Sequence, residues 1–318
     1  MTLRLGRLRQ QLTMGLVAAS AGAVQFVTAV AGLLVARGMA PAEYGRVAYF
    51  LSVLGVAVLL GALGLTTQIT TDVARISGQK KLDSAAEVIV PLVLARVITL
   101  LLVGLLGAFL AWRGDPIAGA AIGEAAIALL SAFCLGIVQG LGWPRLVAAI
   151  QLSQSVLYLA AIAVWGRVTP ERVFVTIAGS YTACLIAAAI ACVVLVPGWR
   201  CSLAAVKQGW RSAARFSSQA YAVSLLLAPY ASLAVLALGK ASRFEDAATF
   251  GVTLPLAVIV PTAFGMVVTV QYYPRLCQLL SGEPARANEW LDTFYRAFAA
   301  VGIATSVVLF LFPREIIT

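Results

Sequence analysis

Long charge-free apolar runs separated by short polar turns organise this chain. Residues 10–36, 47–71, 125–144, 146–166, 173–199, 216–239, 247–274 and 297–313 contain no Asp, Glu, Lys or Arg, and residues 88–112 are broken only by Arg96. About 20 apolar residues in a helix cross the ~30 Å hydrocarbon core of a bilayer. Lipid supplies no hydrogen-bond partner to the backbone, so such runs must be helices that satisfy their own N–H and C=O groups. The pattern predicts an all-α, polytopic transmembrane helical bundle. Its spans lie near 14–36, 47–71, 86–112, 116–142, 144–166, 173–197, 216–239, 247–273 and 297–313. The connections hold turn formers: Gly38 and Pro41, Gly78, Gly114 and Pro116, Gly142 and Pro144, Pro170, and Pro197 with Gly198.

The long polar connection that ends at Arg215 divides the spans unequally. Residues 1–198 form a predicted six-helix N-terminal lobe, 199–215 a cytoplasmic linker, and 216–318 a partial second lobe of three helices. A weak internal echo favours this division. The first span ends at Arg37 and the second opens with Tyr44-Gly45, while the seventh ends at Lys240 and the eighth opens with Phe250-Gly251. Repeated bundles are common in transporters.

Composition narrows the chemistry. Hydrophobic residues make up 61% of the chain and charged residues 11%, against ~25% charged in soluble domains. His is absent, which removes the usual metal ligand and the usual general base. The five cysteines, Cys134, Cys184, Cys192, Cys201 and Cys277, lack C-x-x-C spacing. They read as small buried hydrophobes, with no metal site or cofactor signalled.

Arg4, Arg7 and Arg9 precede the first apolar run, and Ala19-Ser20-Ala21 imitates a cleavage site, yet the run continues to Ala36. That is too long for a signal peptide ending near residue 18 and predicts a retained first span. Of the 23 basic residues, fourteen fall at the N-terminus and at the turns on its side of the membrane, including Arg75, Lys80, Lys81, Arg145 and Arg275. The positive-inside rule then places the N-terminus in the cytoplasm. The net charge of +10 reads as a surface facing anionic lipid, not as a nucleic-acid footprint.

The segment Leu33-Leu34-Val35-Ala36-Arg37-Gly38-Met39-Ala40-Pro41-Ala42-Glu43-Tyr44-Gly45 resembles the opening of the polysaccharide (O-antigen type) flippases. There a first helix ends in Arg and a short P-x-E-Y-G turn starts the second. Gly64-Leu65 and Gln139-Gly140-Leu141-Gly142 add to the likeness. That family belongs to the multidrug/oligosaccharidyl-lipid/polysaccharide exporter superfamily, whose members have twelve or more helices in two bundles of six. The resemblance implies a truncated second bundle and a multi-pass protein of the bacterial inner membrane. It also implies a polyprenyl-pyrophosphate-linked oligosaccharide as substrate, flipped for surface polysaccharide biosynthesis. Expected partners are that substrate, membrane lipids and other membrane proteins of polysaccharide assembly.

Polar residues at membrane depth are the candidate substrate-binding groups. Arg96 lies ten residues into its span, or about 15 Å, where burial costs on the order of 2.5–3.5 kcal/mol by insertion scales. Two roles stand open for it. One is an ion pair with Glu124 on the next span; the other is a cationic cavity lining that meets a pyrophosphate. Gln151, Gln154, Ser155 and Tyr158 recur at i, i+3, i+4 and i+7, which makes one helical stripe. Such a stripe faces a cavity or another helix, because lipid would leave it unsatisfied. Gln25, Gln68 and Gln139 carry the same argument singly. Gly119-x-x-x-Gly123 and Gly136-x-x-x-Gly140 read as packing motifs. Pro255 and Pro261 are candidate gating hinges, since each removes a backbone donor from the eighth span.

The leading expectation is alternating-access flipping of a lipid-linked oligosaccharide. Export of drugs by the same superfamily is the alternative, and it would favour an acidic cavity. An enzyme of polysaccharide assembly fits poorly, because the outward loops are short and His is missing. A non-transporting scaffold is the remaining reading. No G-x-x-x-x-G-K-[ST] loop occurs, so nucleotide hydrolysis is not the expected energy source.

Overall fold

Four helices begin on proline, at Pro41, Pro116, Pro144 and Pro170. The missing N–H costs nothing in the first turn, and the fixed φ favours entry into the helix. Asp115 and Thr169 complete two of these starts by accepting from the backbone N–H of Ala118 and Arg172. A computed structural model describes residues 2–79, 85–165, 168–196, 230–252, 272–282, 286–292, 295–296, 299–300 and 303. Among these, all regular secondary structure is helical. The helices are α1 (Thr2–Arg37), α2 (Pro41–Ala62), α3 (Leu65–Gly78), α4 (Ala85–Trp112), α5 (Pro116–Gly140), α6 (Pro144–Val164), α7 (Pro170–Leu195), α8 (Tyr230–Lys240) and α9 (Tyr273–Gly282). Residues 244–252 and 286–292 are also helical. The linker 199–215 and both proposed hinges, Pro255 and Pro261, lie outside the described residues.

Five of these helices (α2, α4, α5, α6 and α7) are long and apolar enough to cross a membrane. The outer face of α4 carries Leu94, Val97, Ile98, Leu101, Leu102, Leu105 and Leu106, all exposed. A continuous apolar surface of this kind belongs against lipid rather than water.

One element departs from expectation. The second span is not a single rod but two helices, α2 and α3, broken at Leu63 and Gly64, whose φ angles are +46° and +69°. A left-handed Leu costs on the order of 1–3 kcal/mol, so surrounding contacts must hold it. The charge-free run hides this break, since lipid solubility records apolarity and not backbone direction.

The central helix is α5, which packs against α2, α3, α4, α6 and α7, while α1 lies along α6. Its small residues allow this crowding. A Cβ on Gly136 would fall 2.8 Å from Thr70 Oγ1, and one on Gly140 2.8 Å from Val73 Cβ, so the second glycine pair is a packing seam against α3. Two apolar clusters fill the bundle. One, around Ile69, Val73, Ile89, Phe133 and Val138, sits toward the end bearing Arg75 and Arg145, the basic end. The other, around Val35, Val47, Phe50, Ala121, Ala125 and Val173, sits toward the opposite end. Cys184 and Cys192 are buried, Cys134 and Cys277 are half-buried, and none of these four is in a disulfide.

Candidate functional site

Between α1, α2, α5, α6 and α7 lies a cavity of about 470 Å³, within the range of small-molecule sites. The predicted α6 stripe faces it: Gln151, Gln154, Ser155 and Tyr158 all line the space. Gln25 and Thr28 of α1 stand on another wall, with Ser180 and Tyr181 of α7 and Ser131 of α5. Thr28 Oγ1 reaches Ser155 Oγ at 3.3 Å and ties α1 to α6 at the cavity edge. Several of the hydroxyls already donate within their own helices. Thr28 bonds the Val24 carbonyl at 2.8 Å, Ser155 the Gln151 carbonyl at 3.2 Å, and Ser180 the Ile177 carbonyl at 2.8 Å. Each hydroxyl oxygen keeps acceptor capacity. The remaining walls are apolar, from Leu33, Leu51, Leu54, Leu135 and Ile177, and Gly251 and Val252 close one side. No Lys or Arg is among the lining residues.

Sequence reasoning missed Thr28, Ser131, Ser180 and Tyr181, because a single hydroxyl in an apolar run makes no stripe. Tyr44 also lines the cavity, although in the sequence it served only as part of a turn motif.

Glu124 stands just outside this lining. It shares a face of α5 with Ala128, Ser131 and Leu135, at i, i+4, i+7 and i+11. Its carboxylate lies within electrostatic reach of Tyr158 and Tyr181. The side chain is buried, and its Oε1 has no hydrogen-bond partner. A carboxyl group thus lies near two tyrosines that line the cavity.

Arg96 is elsewhere, and both roles left open for it, the pair with Glu124 and the cationic cavity lining, are corrected. No Arg96–Glu124 ion pair occurs among the described residues. The guanidinium is fully buried and turns toward the helix break. Its Nη1 donates to the Gly61 carbonyl at 2.9 Å; its Nη2 donates to the Ala62 carbonyl at 3.5 Å and to Thr66 Oγ1 at 3.0 Å. The last carbonyls of α2 have no partner of their own, and the helix dipole gives them partial negative charge. They stabilise the buried cation without a carboxylate. The Phe133 ring adds a cation–π contact with its centroid 5.4 Å away. Arg96 is not among the lining residues of the cavity.

Gln68 and Gln139 are also buried but lie outside the lining. Gln68 Nε2 donates to Asp72 Oδ2 at 3.4 Å within α3. No cluster of His, Cys, Asp or Glu positioned for a metal ion occurs among the described residues.

The broken α2–α3 element touches later helices at both ends. At the opposite end, α2 packs on α8. There the Tyr49 ring meets Phe244 edge-on, Arg46 lies over the same Phe244 ring at 5.9 Å, and Tyr44 donates to the Gly251 carbonyl at 3.2 Å. Gly45 lies against the Phe244 carbonyl so closely that no side chain fits. At the basic end, α3 packs on α9. Thr71 and Tyr273 share a hydrogen bond of 2.7 Å, and Gln278 Nε2 donates to the Gly140 carbonyl at 3.3 Å. A Cβ on Gly78 would fall 2.6 Å from the Gln278 carbonyl.

No protein-family model and no curated protein matches the sequence. Solved structures do match. A chain described as "protein A" superposes with a TM-score of 0.68 at 13% identity, covering 95% of this chain and 73% of that one. The eukaryotic MATE transporter AtDTX14 gives 0.61 at 17% identity, again over 95% and 73%. A MATE protein in complex with MaD3S gives 0.57 at 15% identity, over 96% and 73%. The chain has the fold of the MATE transporters.

Proposed function

We propose that this protein flips a polyprenyl-pyrophosphate-linked oligosaccharide across the bacterial cytoplasmic membrane by alternating access, with its N-terminus in the cytoplasm. In this reading residues 1–198 form one lobe, 199–215 the linker, and the helices from 216 onward part of a second. The observation that carries it is the neutral, hydrogen-bonding cavity. Amides of Gln25, Gln151 and Gln154 and hydroxyls of Thr28, Ser155, Tyr158, Ser180 and Tyr181 converge on one space. Amides and hydroxyls match the dense donor and acceptor pattern of a sugar, and apolar walls suit its ring faces. The lipid tail stays in the bilayer while the glycan enters the protein. The P-x-E-Y-G turn at Pro41–Gly45 supports the same assignment by resemblance. Arg96 has no part in this reading of the cavity, because it is buried at the α2–α3 break and does not line the space.

A second reading, export of cationic drugs, is favoured by Glu124, the acidic group beside the cavity tyrosines. One experiment separates the two. Surface glycan is scored in cells lacking their own flippase and supplied with this protein, native or carrying Gln154→Leu with Tyr158→Phe; drug resistance is scored in parallel. Restored glycan that the double variant loses at least tenfold, at equal protein level, supports flipping. Drug resistance that Glu124→Gln abolishes, with no glycan restored, replaces it with the second reading.

A further inference from the structure

We propose that the break at Leu63 and Gly64 is the pivot of the transport movement, and that Arg96 is the positioning residue that holds it. The inference deepens the alternating-access reading and rests on it. Among the described helices, the element α2–α3 packs on later helices at both ends of the bundle. Its α2 half carries Tyr44, Gly45 and Tyr49 against Phe244 and Gly251. Its α3 half carries Thr71 and Gly78 against Tyr273 and Gln278. A continuous helix would couple these two contacts rigidly. A break between them lets one half tilt while the other keeps its grip, which is what opening one side at a time requires.

The local chemistry suits a pivot and not a simple helix end. Leu63 and Gly64 interrupt the backbone ladder, and both adopt left-handed conformations. Arg96 then bridges the gap, with the Gly61 and Ala62 carbonyls on one side and the Thr66 hydroxyl on the other. The guanidinium fork can keep some of these bonds while the two halves change angle, because it carries five donors in a plane. Its Nε is buried without a partner, so the side chain holds donor capacity that this arrangement does not use. Pro255 and Pro261 lie outside the described residues, and among the described ones the helix break is the hinge this proposal assigns.

The test is a distance measurement within one element, which rigid-body rocking of whole bundles leaves constant. Spin labels on genetically encoded keto amino acids at Gly55 and Gln79 keep the five native cysteines in place. Both positions are exposed, and a side chain at Gly55 meets nothing within 4 Å. A straight helix would separate them by 24 residues, or about 36 Å. In the full chain in lipid nanodiscs, pulsed electron resonance is expected to show a broad distribution centred below that value. Arg96→Gln is expected to widen it at least twofold and Arg96→Lys to keep the native width, with Thr66→Val as the substitute if Arg96→Gln does not fold. A single narrow distance in the native chain, or a width that these variants leave unaltered, overturns the proposal. Surface glycan is scored separately. Broad, Arg96-sensitive distances without glycan leave the pivot and remove the flippase reading, and narrow distances with glycan do the reverse.

Discussion

The Tyr49 hydroxyl donates to Asp115 Oδ2 at 2.9 Å, and the same carboxylate oxygen stands 3.8 Å from Lys240 Nζ. Asp115 Oδ1 meanwhile caps α5 through the Ala118 N–H at 3.0 Å. One side chain therefore starts a central helix, holds α2 and faces α8. Removing the cap should cost about 1 kcal/mol, whereas the exposed Lys240 contact should contribute little. Asp115→Ala is expected to lower the melting temperature in detergent clearly more than Asp115→Asn, which retains an acceptor for the cap. Lys240→Gln is expected to change it least. Equal melting of all three variants would contradict the capping role.

Arg96→Ala should be destabilising and not selectively damaging to substrate binding. It deletes charged donors to two carbonyls and one hydroxyl, and a charged hydrogen bond contributes about 1.5–3 kcal/mol. Denaturation in mixed micelles is expected to show a loss of at least ~2 kcal/mol, smaller in Arg96→Lys. The glycan affinity of the folded fraction should stay near native. A large affinity loss with native stability would return Arg96 to the cavity.

The cavity residues should behave in the opposite way. Gln25→Leu and Gln154→Leu each remove an amide from the lining. A loss of about 1.4 kcal/mol is tenfold in affinity. Titration with a soluble oligosaccharide by calorimetry is expected to show that loss in both variants and not in Gln139→Leu, which lies outside the lining. Equal effects at all three positions would argue against the cavity as the sugar site.

Gly45→Val should force the opposite end apart, because the added carbons would occupy the place of the Phe244 carbonyl. Spin labels at Ala42 and Ser242, both exposed, are expected to move apart in this variant. An unaltered distance would mean that the α2 contact yields without separation.

Asp72 lies just beyond the charge-free run that ends at Thr71. Its carboxyl is pushed above the usual value by burial, with Gln68 and Arg75 opposing the shift. A carboxyl raised in the folded state favours folding when protonated, so its contribution is present at low pH and lost as pH rises through the folded value. Asp72→Asn is therefore expected to melt higher than native at neutral pH, with the gap closing under acid. A gap that grows on acidification would reverse the sign.

The sequence by itself determined the solvent, and with it most of the fold. The long apolar runs that follow Pro116, Pro144 and Pro170 had to become α5, α6 and α7, because lipid permits a backbone only if each segment bonds to itself. The amide stripe from Gln151 to Tyr158 was legible for the same reason, since helical spacing alone puts those side chains on one face. Two decisions belonged to the tertiary structure. Hydropathy carries no record of backbone direction, so the break at Leu63 and Gly64 stayed hidden inside an apolar run. The partner of Arg96 was equally hidden: a buried cation needs negative potential, and the carbonyl end of α2 supplies it here in place of a carboxylate. Only the packing of α4 against that helix end decided between them.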